Sequence, residues 1–222
     1  MAARYTLVVG TANWSSWSLR PYLALAATGA KFETVMIALR QPGSKAAILK
    51  YSPSGRIPAL KIAERGKMLT VWDSLAICET LNERHPQAGL WPASAAARAK
   101  ARAYAAEMHS GFPNLRDQLS MDFARKVAMP ELRDNTKAEI ERILGAWKIA
   151  LKDHKGAFLF GKFSIADAMY APMVSRFVTY GVKAPPPIRA YMTRIMALPA
   201  MGEWGKMAQK EVAQGVGEYP KN

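Results

Sequence analysis

The chain has 222 residues, 50% of them hydrophobic and 22% charged, enough to bury roughly 70% of the unfolded surface in one or two domains without covalent staples. Its single cysteine, Cys78, excludes an internal disulfide framework and a cysteine-based metal cluster, and fits a reducing compartment. The net charge of +14 is spread along the chain, with 11 Lys/Arg against 5 Asp/Glu in residues 1–85 and 20 against 12 in residues 86–222, which argues for a solvated basic surface that favours anionic ligands and against a nucleic-acid site.

The N-terminus runs into a short apolar stretch ending at Gly10. It is too short for a signal-peptide core, and no apolar run reaches bilayer-spanning length. A soluble cytoplasmic protein without membrane contact is expected. Residues 5–10 are rich in β-formers and predict a strand. Residues 18–28 read as a helix capped by Ser18, with Pro21 in its first turn and Gly29 as its stop. Residues 32–39 predict a second strand and 42–51 a short helix. Strands follow over 57–62 and 68–72, joined by a polar turn, and then a helix over 74–84 that Pro86 stops. The order β-α-β-α-β-β-α suits one small α/β domain, with a parallel first unit and a closing hairpin.

Residues 86–96 have the composition of a linker. Helices are expected over about 95–126, 130–153, 164–178, 187–197 and 199–210. Ser164 and Asp167 form a capping-box-like start, and Pro185-Pro186-Pro187 breaks the chain before the next helix. The tail after Lys210 is expected to pack loosely. The division is therefore an α/β domain over 1–85, a linker over 86–94 and an all-α domain over 95–222.

Three motifs in the first domain can carry chemistry. Asn13 to Arg20 lies between the first strand and the first helix, where ligands collect and the helix dipole favours negative charge. Its serines can cap the helix or donate to a bound thiolate. A thiol has a pKa near 8.5. Lowering it by about two units takes roughly 2.7 kcal/mol, the size of one charge-assisted hydrogen bond of about 1.5–3 kcal/mol plus a helix end. The second motif runs from Ser52 to Leu60, with Pro58 directly before a strand. A cis Ile57-Pro58 bond would leave the Ile57 backbone free to pair with an extended peptide, and a trans bond would make an ordinary turn. In the third, Asp73 and Ser74 open a helix. That pair suits a ligand carrying an ammonium and a carboxylate on one carbon, and it also suits simple capping.

In this order the motifs resemble the N-terminal domain of cytosolic glutathione transferases. Ser15-Ser16-Trp17-Ser18 is similar to the Ser-Ser-Cys-Ser segment of zeta-class and related bacterial members. Ile57-Pro58 matches the Val-Pro dipeptide whose proline is cis, and Asp73-Ser74 the acidic-Ser pair that holds the γ-glutamyl group. The segment from Phe163 to Asp167 resembles the capping box of the helical domain. The resemblance implies a thioredoxin-like domain followed by an all-helical domain, with glutathione as co-substrate and no metal.

It further implies Ser15 as the hydroxyl on the glutathione thiolate, with Ser16 its alternative after a one-residue shift. Ile57 and Pro58 would meet the cysteinyl part, and Asp73 and Ser74 the γ-glutamyl end. Arg56, Lys45 and Arg40, in that order, are candidates for the glycyl carboxylate. Trp17 stands where the zeta segment has cysteine, a departure that bears on isomerase chemistry. Trp14 and Trp17 flank the thiol site. Tyr104, Met108, His109 and Phe112 follow helical spacing on the fourth helix; they can line a substrate pocket or form an ordinary buried stripe. His85, His109 and His154 lack metal-ligand spacing. Cys78 is expected in the core, and Asp167 as a structural carboxylate. The expected activity is attack of the glutathione thiol on a small hydrophobic electrophile, in a homodimer. The alternative is a non-catalytic protein of the same fold that binds hydrophobic ligands or partners.

Overall fold

Period-two alternation along the first strand explains the layering of the N-terminal domain. The structure is a computed structural model and describes residues 3–216. Strands β1 (Arg4–Gly10), β2 (Phe32–Ile37), β3 (Ala59–Glu64) and β4 (Lys67–Trp72) form one sheet in the order β2-β1-β3-β4. β1 pairs with β2 in parallel and with β3 antiparallel, and β3–β4 is an antiparallel hairpin. Leu7 and Val9 enter the core shared with Leu19, Leu23, Ile77 and Leu81. These four come from α1 (Ser16–Ala27) and α3 (Ser74–Arg84). Val8 faces the other way and joins Ile37, Ala59 and Ile48, the last from α2 (Ser44–Leu49). A strand covered on both faces is apolar along its covered run, and β1 is so from Leu7 to Gly10, while Arg4 and Thr6 precede that run. The expected thioredoxin-like order of elements is present.

After a 3-10 turn at Pro86–Ala88 the described chain is helical apart from loops and two isolated bridges. The helices are α4 (Ala95–Ser110), α5 (Pro113–Gln118), α6 (Asp134–Asp153), α7 (Ile165–Thr179), α8 (Pro186–Met196) and α9 (Pro199–Ala213). Nearly every residue of α7 is buried, so it is the central helix. Trp147 of α6 meets Tyr170 of α7 and Tyr191 of α8 edge-on, with ring centroids 5.6 and 5.3 Å apart, a favoured aromatic geometry. α7 also packs on α1, so one core runs through both domains. The capping box forms as expected: Asp167 accepts the Ser164 N–H at 2.9 Å and the Leu159 N–H at 3.0 Å. Cys78 is fully buried. No described helix is long and apolar enough to cross a membrane.

Five local expectations are corrected. α1 starts at Ser16 with Ser15 in the cap position, and Ser18 instead accepts the Gly10 N–H at 3.0 Å, tying the end of β1 to the helix. Pairing in β3 starts at Ala59, because Pro58 has no N–H to give the ladder. The helix expected over 95–126 breaks at Gly111-Phe112-Pro113. There Phe112 is left-handed at φ 63°, and a Cβ on Gly111 would meet the Glu107 carbonyl at 2.7 Å. Pro186 opens α8 rather than preceding it, since the first turn needs no N–H donor. The tail is helical to Ala213, and its Glu211 is buried, accepting the Asn13 N–H at 3.1 Å. Residues 217–222 of that tail lie outside the described residues.

Candidate active site

A cleft of about 700 Å³ opens where the edge of β3, the start of α3 and the wall of α4 meet. Its floor follows from the Ile57-Pro58 bond, which is cis. Pro58 is buried at the entry to β3 and both residues line the cleft. Leu39 and Ile48 supply an apolar side, and Ser54 and Arg56 a polar one.

The start of α3 is the most polar corner. Asp73 takes φ 74° and ψ 134°, a positive-φ conformation outside the left-handed helical region that side chains rarely adopt. Its Oδ1 accepts the Leu75 and Ala76 N–H groups at 2.8 and 3.2 Å, and so caps the helix. Its Oδ2 lies 3.3 Å from Nε2 of His109 on α4. The neighbouring Ser74 Oγ is buried and has no hydrogen-bond partner among the described residues. A buried hydroxyl left unpaired costs about 1–3 kcal/mol, and a ligand reaching into this corner would remove that cost.

The start of α1 is differently arranged. Ser15 and Ser16 are 6% and 4% exposed, and neither is on the cleft wall. Ser15 Oγ donates to Ser18 Oγ at 2.8 Å. Trp17 is 38% exposed and forms part of the wall. Two guanidiniums lie over its ring, Arg20 at 4.2 Å and Arg116 at 5.1 Å from the centroid, within cation–π range. Arg20 is fully buried and none of its three nitrogens is hydrogen-bonded among the described residues. Burial, then the charges of Arg116 and Arg176, push its pKa well below the ordinary value. Burial likewise lowers Arg116 to about 10. Arg116 therefore remains a cation at neutral pH, as guanidiniums in proteins do, and this positive cluster biases this end of the cleft towards anions.

Of the residues singled out in the sequence, the structure brings Trp17, Arg56, Ile57, Pro58, Asp73, Ser74 and His109 to one cleft. Lys45 and Arg40 are exposed and do not line it; Arg40 stands over the Trp14 ring at 5.4 Å. Trp14 is off the wall as well. Tyr104, Met108 and Phe112 belong to the helical core instead. Tyr104 donates to the Ala146 carbonyl at 3.1 Å, and Met108 and Phe112 are buried. Helical spacing could not separate these from His109, because a single helix carries both a core stripe and the flank that faces the cleft. Trp72, 46% exposed on the wall, escaped notice as a site residue. A large aromatic directly before the acidic cap was the available signal.

Comparison with known proteins adds an independent line. A family model described as the glutathione S-transferase N-terminal domain matches residues 14–84, and one described as the C-terminal domain matches residues 130–194. A probable maleylacetoacetate isomerase from Caenorhabditis elegans is 29% identical over 161 residues, 72% of this chain and 73% of that protein. A crystal structure of a glutathione transferase homologue from Burkholderia (BGR1), with bound glutathione, is similar at 27% identity and a TM-score of 0.71. It covers 93% of this chain and 99% of its own. A maleylacetoacetate isomerase from Anaeromyxobacter dehalogenans, solved with dicarboxyethyl glutathione and citrate in its active site, is 25% identical. Its TM-score is 0.67, over 91% of this chain and 94% of that one. With both domain models matched in order, over a sheet, a cis-proline and a helical domain of the same arrangement, the chain belongs to the glutathione S-transferase family of glutathione-dependent enzymes.

Proposed function

We propose that the chain binds glutathione in this cleft and activates its thiol for attack on an electrophilic carbon of a small hydrophobic substrate. The observation that carries the reading is the corner at the start of α3. It presents an unpartnered buried hydroxyl, Ser74, and a carboxylate oxygen on Asp73 not used for capping, side by side beside the cis Ile57-Pro58 bond. In this reading Asp73 takes the γ-glutamyl ammonium and Ser74 its carboxylate. The Ile57 backbone pairs with the cysteinyl unit, and Arg56 meets the glycyl carboxylate, with the exposed Lys45 and Arg40 behind it. The sulfur then points to the start of α1.

There Ser15 turns its hydroxyl from Ser18 to the thiolate, because a charged acceptor makes the stronger hydrogen bond. Ser16 serves if the sulfur sits one residue further along. The thiol proton leaves to solvent and the sulfur forms a bond to the electrophilic carbon. The leaving group departs with the bonding electrons or, in an addition, the electrons move onto the conjugated acceptor, which is then protonated. Activation and proximity carry the rate, with no covalent bond to the protein. Trp17 and His109 form the substrate wall. The reading includes a division into a glutathione-binding domain over 1–85, a linker over 86–94 and a substrate-binding domain over 95–222. It also includes a homodimer in the cytoplasm, testable by sedimentation.

Retention on immobilised glutathione, elution by free glutathione and turnover of a broad electrophile test it together. Binding without turnover across an electrophile panel would make this a carrier of the same fold. A second reading, double-bond isomerisation through thiolate addition, is favoured by the maleylacetoacetate isomerases among the relatives. Trp17, where the zeta segment has cysteine, weighs against it. Turnover of maleylacetoacetate decides between the two.

A further inference from the structure

The two oxygens of the Asp73 carboxylate have different surroundings. Oδ1 is occupied by the first turn of α3, while Oδ2 meets a side chain from the other domain, His109 of α4. His109 is itself held in place: its ring meets Trp17 edge-on, with centroids 5.3 Å apart. Its Nδ1 is buried and has no hydrogen-bond partner among the described residues. The charged groups acting on the ring are Asp73 from α3, Arg20 from α1 and Arg116 from α5.

This setting selects one protonation state. With Nε2 beside a carboxylate, the proton of a neutral ring belongs on Nε2 and the lone pair on Nδ1. A second proton on Nδ1 would be buried without an acceptor, and Arg20 and Arg116 oppose it. Burial and those two cations hold His109 below the ordinary imidazole range even though Asp73 pulls the other way. At neutral pH the imidazole is therefore uncharged, and the negative charge of Asp73 is left uncancelled.

We propose that His109 is a positioning residue for the amino end of glutathione: a neutral imidazole that aims Asp73 Oδ2 at the ligand ammonium without cancelling its charge. The proposal deepens the glutathione reading and rests on it. A lysine or arginine at this place would orient the carboxylate equally well but would compete for it. The same arrangement makes binding sensitive to acid. Once His109 takes a second proton, the imidazolium competes with the ligand ammonium for Oδ2. The amine and carboxylates of glutathione keep their charges between about pH 5.5 and 7.5. Its thiol, which ionises in that range once activated, is shared by an analogue lacking only the amine, so a loss confined to the amine arises in the protein.

The test is calorimetric titration of the full-length protein with glutathione and with glutaryl-cysteinylglycine, which lacks the amino group, at several pH values across that range. Wild type is compared with His109→Gln, whose amide N–H can replace Nε2–H but cannot ionise, and with His109→Ala. At the neutral end His109→Gln is expected to retain glutathione binding within about twofold, and His109→Ala to lose about three- to fivefold, the range of a half-exposed charged contact. On acidification wild type weakens towards glutathione by about threefold more than towards the des-amino analogue, while His109→Gln shows no such excess, and the analogue binds all three proteins alike. An equal excess of acid loss for glutathione over the analogue in wild type and His109→Gln would overturn the proposal. So would an alanine variant that weakens the analogue as much as glutathione, since His109 would then be only a wall residue. Wild type that binds neither ligand would overturn the glutathione reading, and this proposal with it.

Discussion

Two helices of the N-terminal domain begin beside the cleft with a serine, and they treat it in opposite ways. At the start of α1 the hydroxyls are engaged with one another. Ser15 donates to Ser18, and Ser18 accepts the end of β1. At the start of α3 the acidic cap is satisfied, but the Ser74 hydroxyl is buried without a partner among the described residues. For the proposed glutathione complex the difference implies that the two ends would do different work on one ligand. The α3 corner is set to receive charged groups as it stands, so it should govern affinity. The α1 corner must exchange a neutral hydrogen bond for a charged one, a gain realised only when a thiolate is present, so it should govern rate.

Substitutions can break this contrast or sharpen it, and the largest effect belongs to α1. Ser15→Ala should lower kcat by about 10- to 100-fold, the worth of one charge-assisted hydrogen bond, with glutathione affinity within about twofold of wild type. Steady-state kinetics beside calorimetry reads both; a loss of affinity equal to the loss of rate would erase the contrast. Asp73→Asn keeps a good capping residue of the same shape but removes the charge. Glutathione should bind about tenfold more weakly, with kcat at saturation little changed. Ser74→Ala should weaken binding by about threefold and leave thermal stability unchanged or raised, because it deletes a buried hydroxyl that has no partner among the described residues. A destabilised Ser74→Ala protein would mean that the hydroxyl is already satisfied.

The smallest effect concerns what holds the loop before Ser15. Glu211 reaches from α9 to accept the Asn13 N–H, and burial raises its pKa above the ordinary carboxyl value. A carboxyl whose folded pKa is raised contributes its stability below the unfolded value and loses it as pH rises through the folded one. Glu211→Gln cannot titrate, so its melting temperature should gain on wild type as pH rises from about 4 to 7. Melts recorded over that range check the sign, and a constant difference would contradict it.

Much of this was legible in the residues. β-rich runs, prolines and caps placed the four strands and the helices around them, and the cis-proline and Asp73-Ser74 motifs meet at one cleft. The helix break at Gly111-Phe112-Pro113 was missed because alanine-rich helical periodicity outweighed one proline; the turn depends on Phe112 adopting a left-handed conformation that its side chain does not advertise. The engagement of Ser15 with Ser18 was equally hidden, because both serines suit either capping or catalysis. The buried Arg20 and the His109–Asp73 approach exist only where α1, α3, α4 and α5 converge, and no local pattern records such a meeting. The buried Glu211 shows the same limit: a polar tail read as loose is held by partners about 200 residues away.

The central claim is that one ligand spans both corners, with its charged end at α3 and its sulfur at α1. A crystal structure of the protein with glutathione tests it most directly. The account expects the γ-glutamyl group on Asp73 and Ser74, and the sulfur within hydrogen-bonding reach of the Ser15 or Ser16 hydroxyl. A sulfur out of reach of both serines, or a tripeptide lying in the reverse direction along the cis-proline edge, would contradict it.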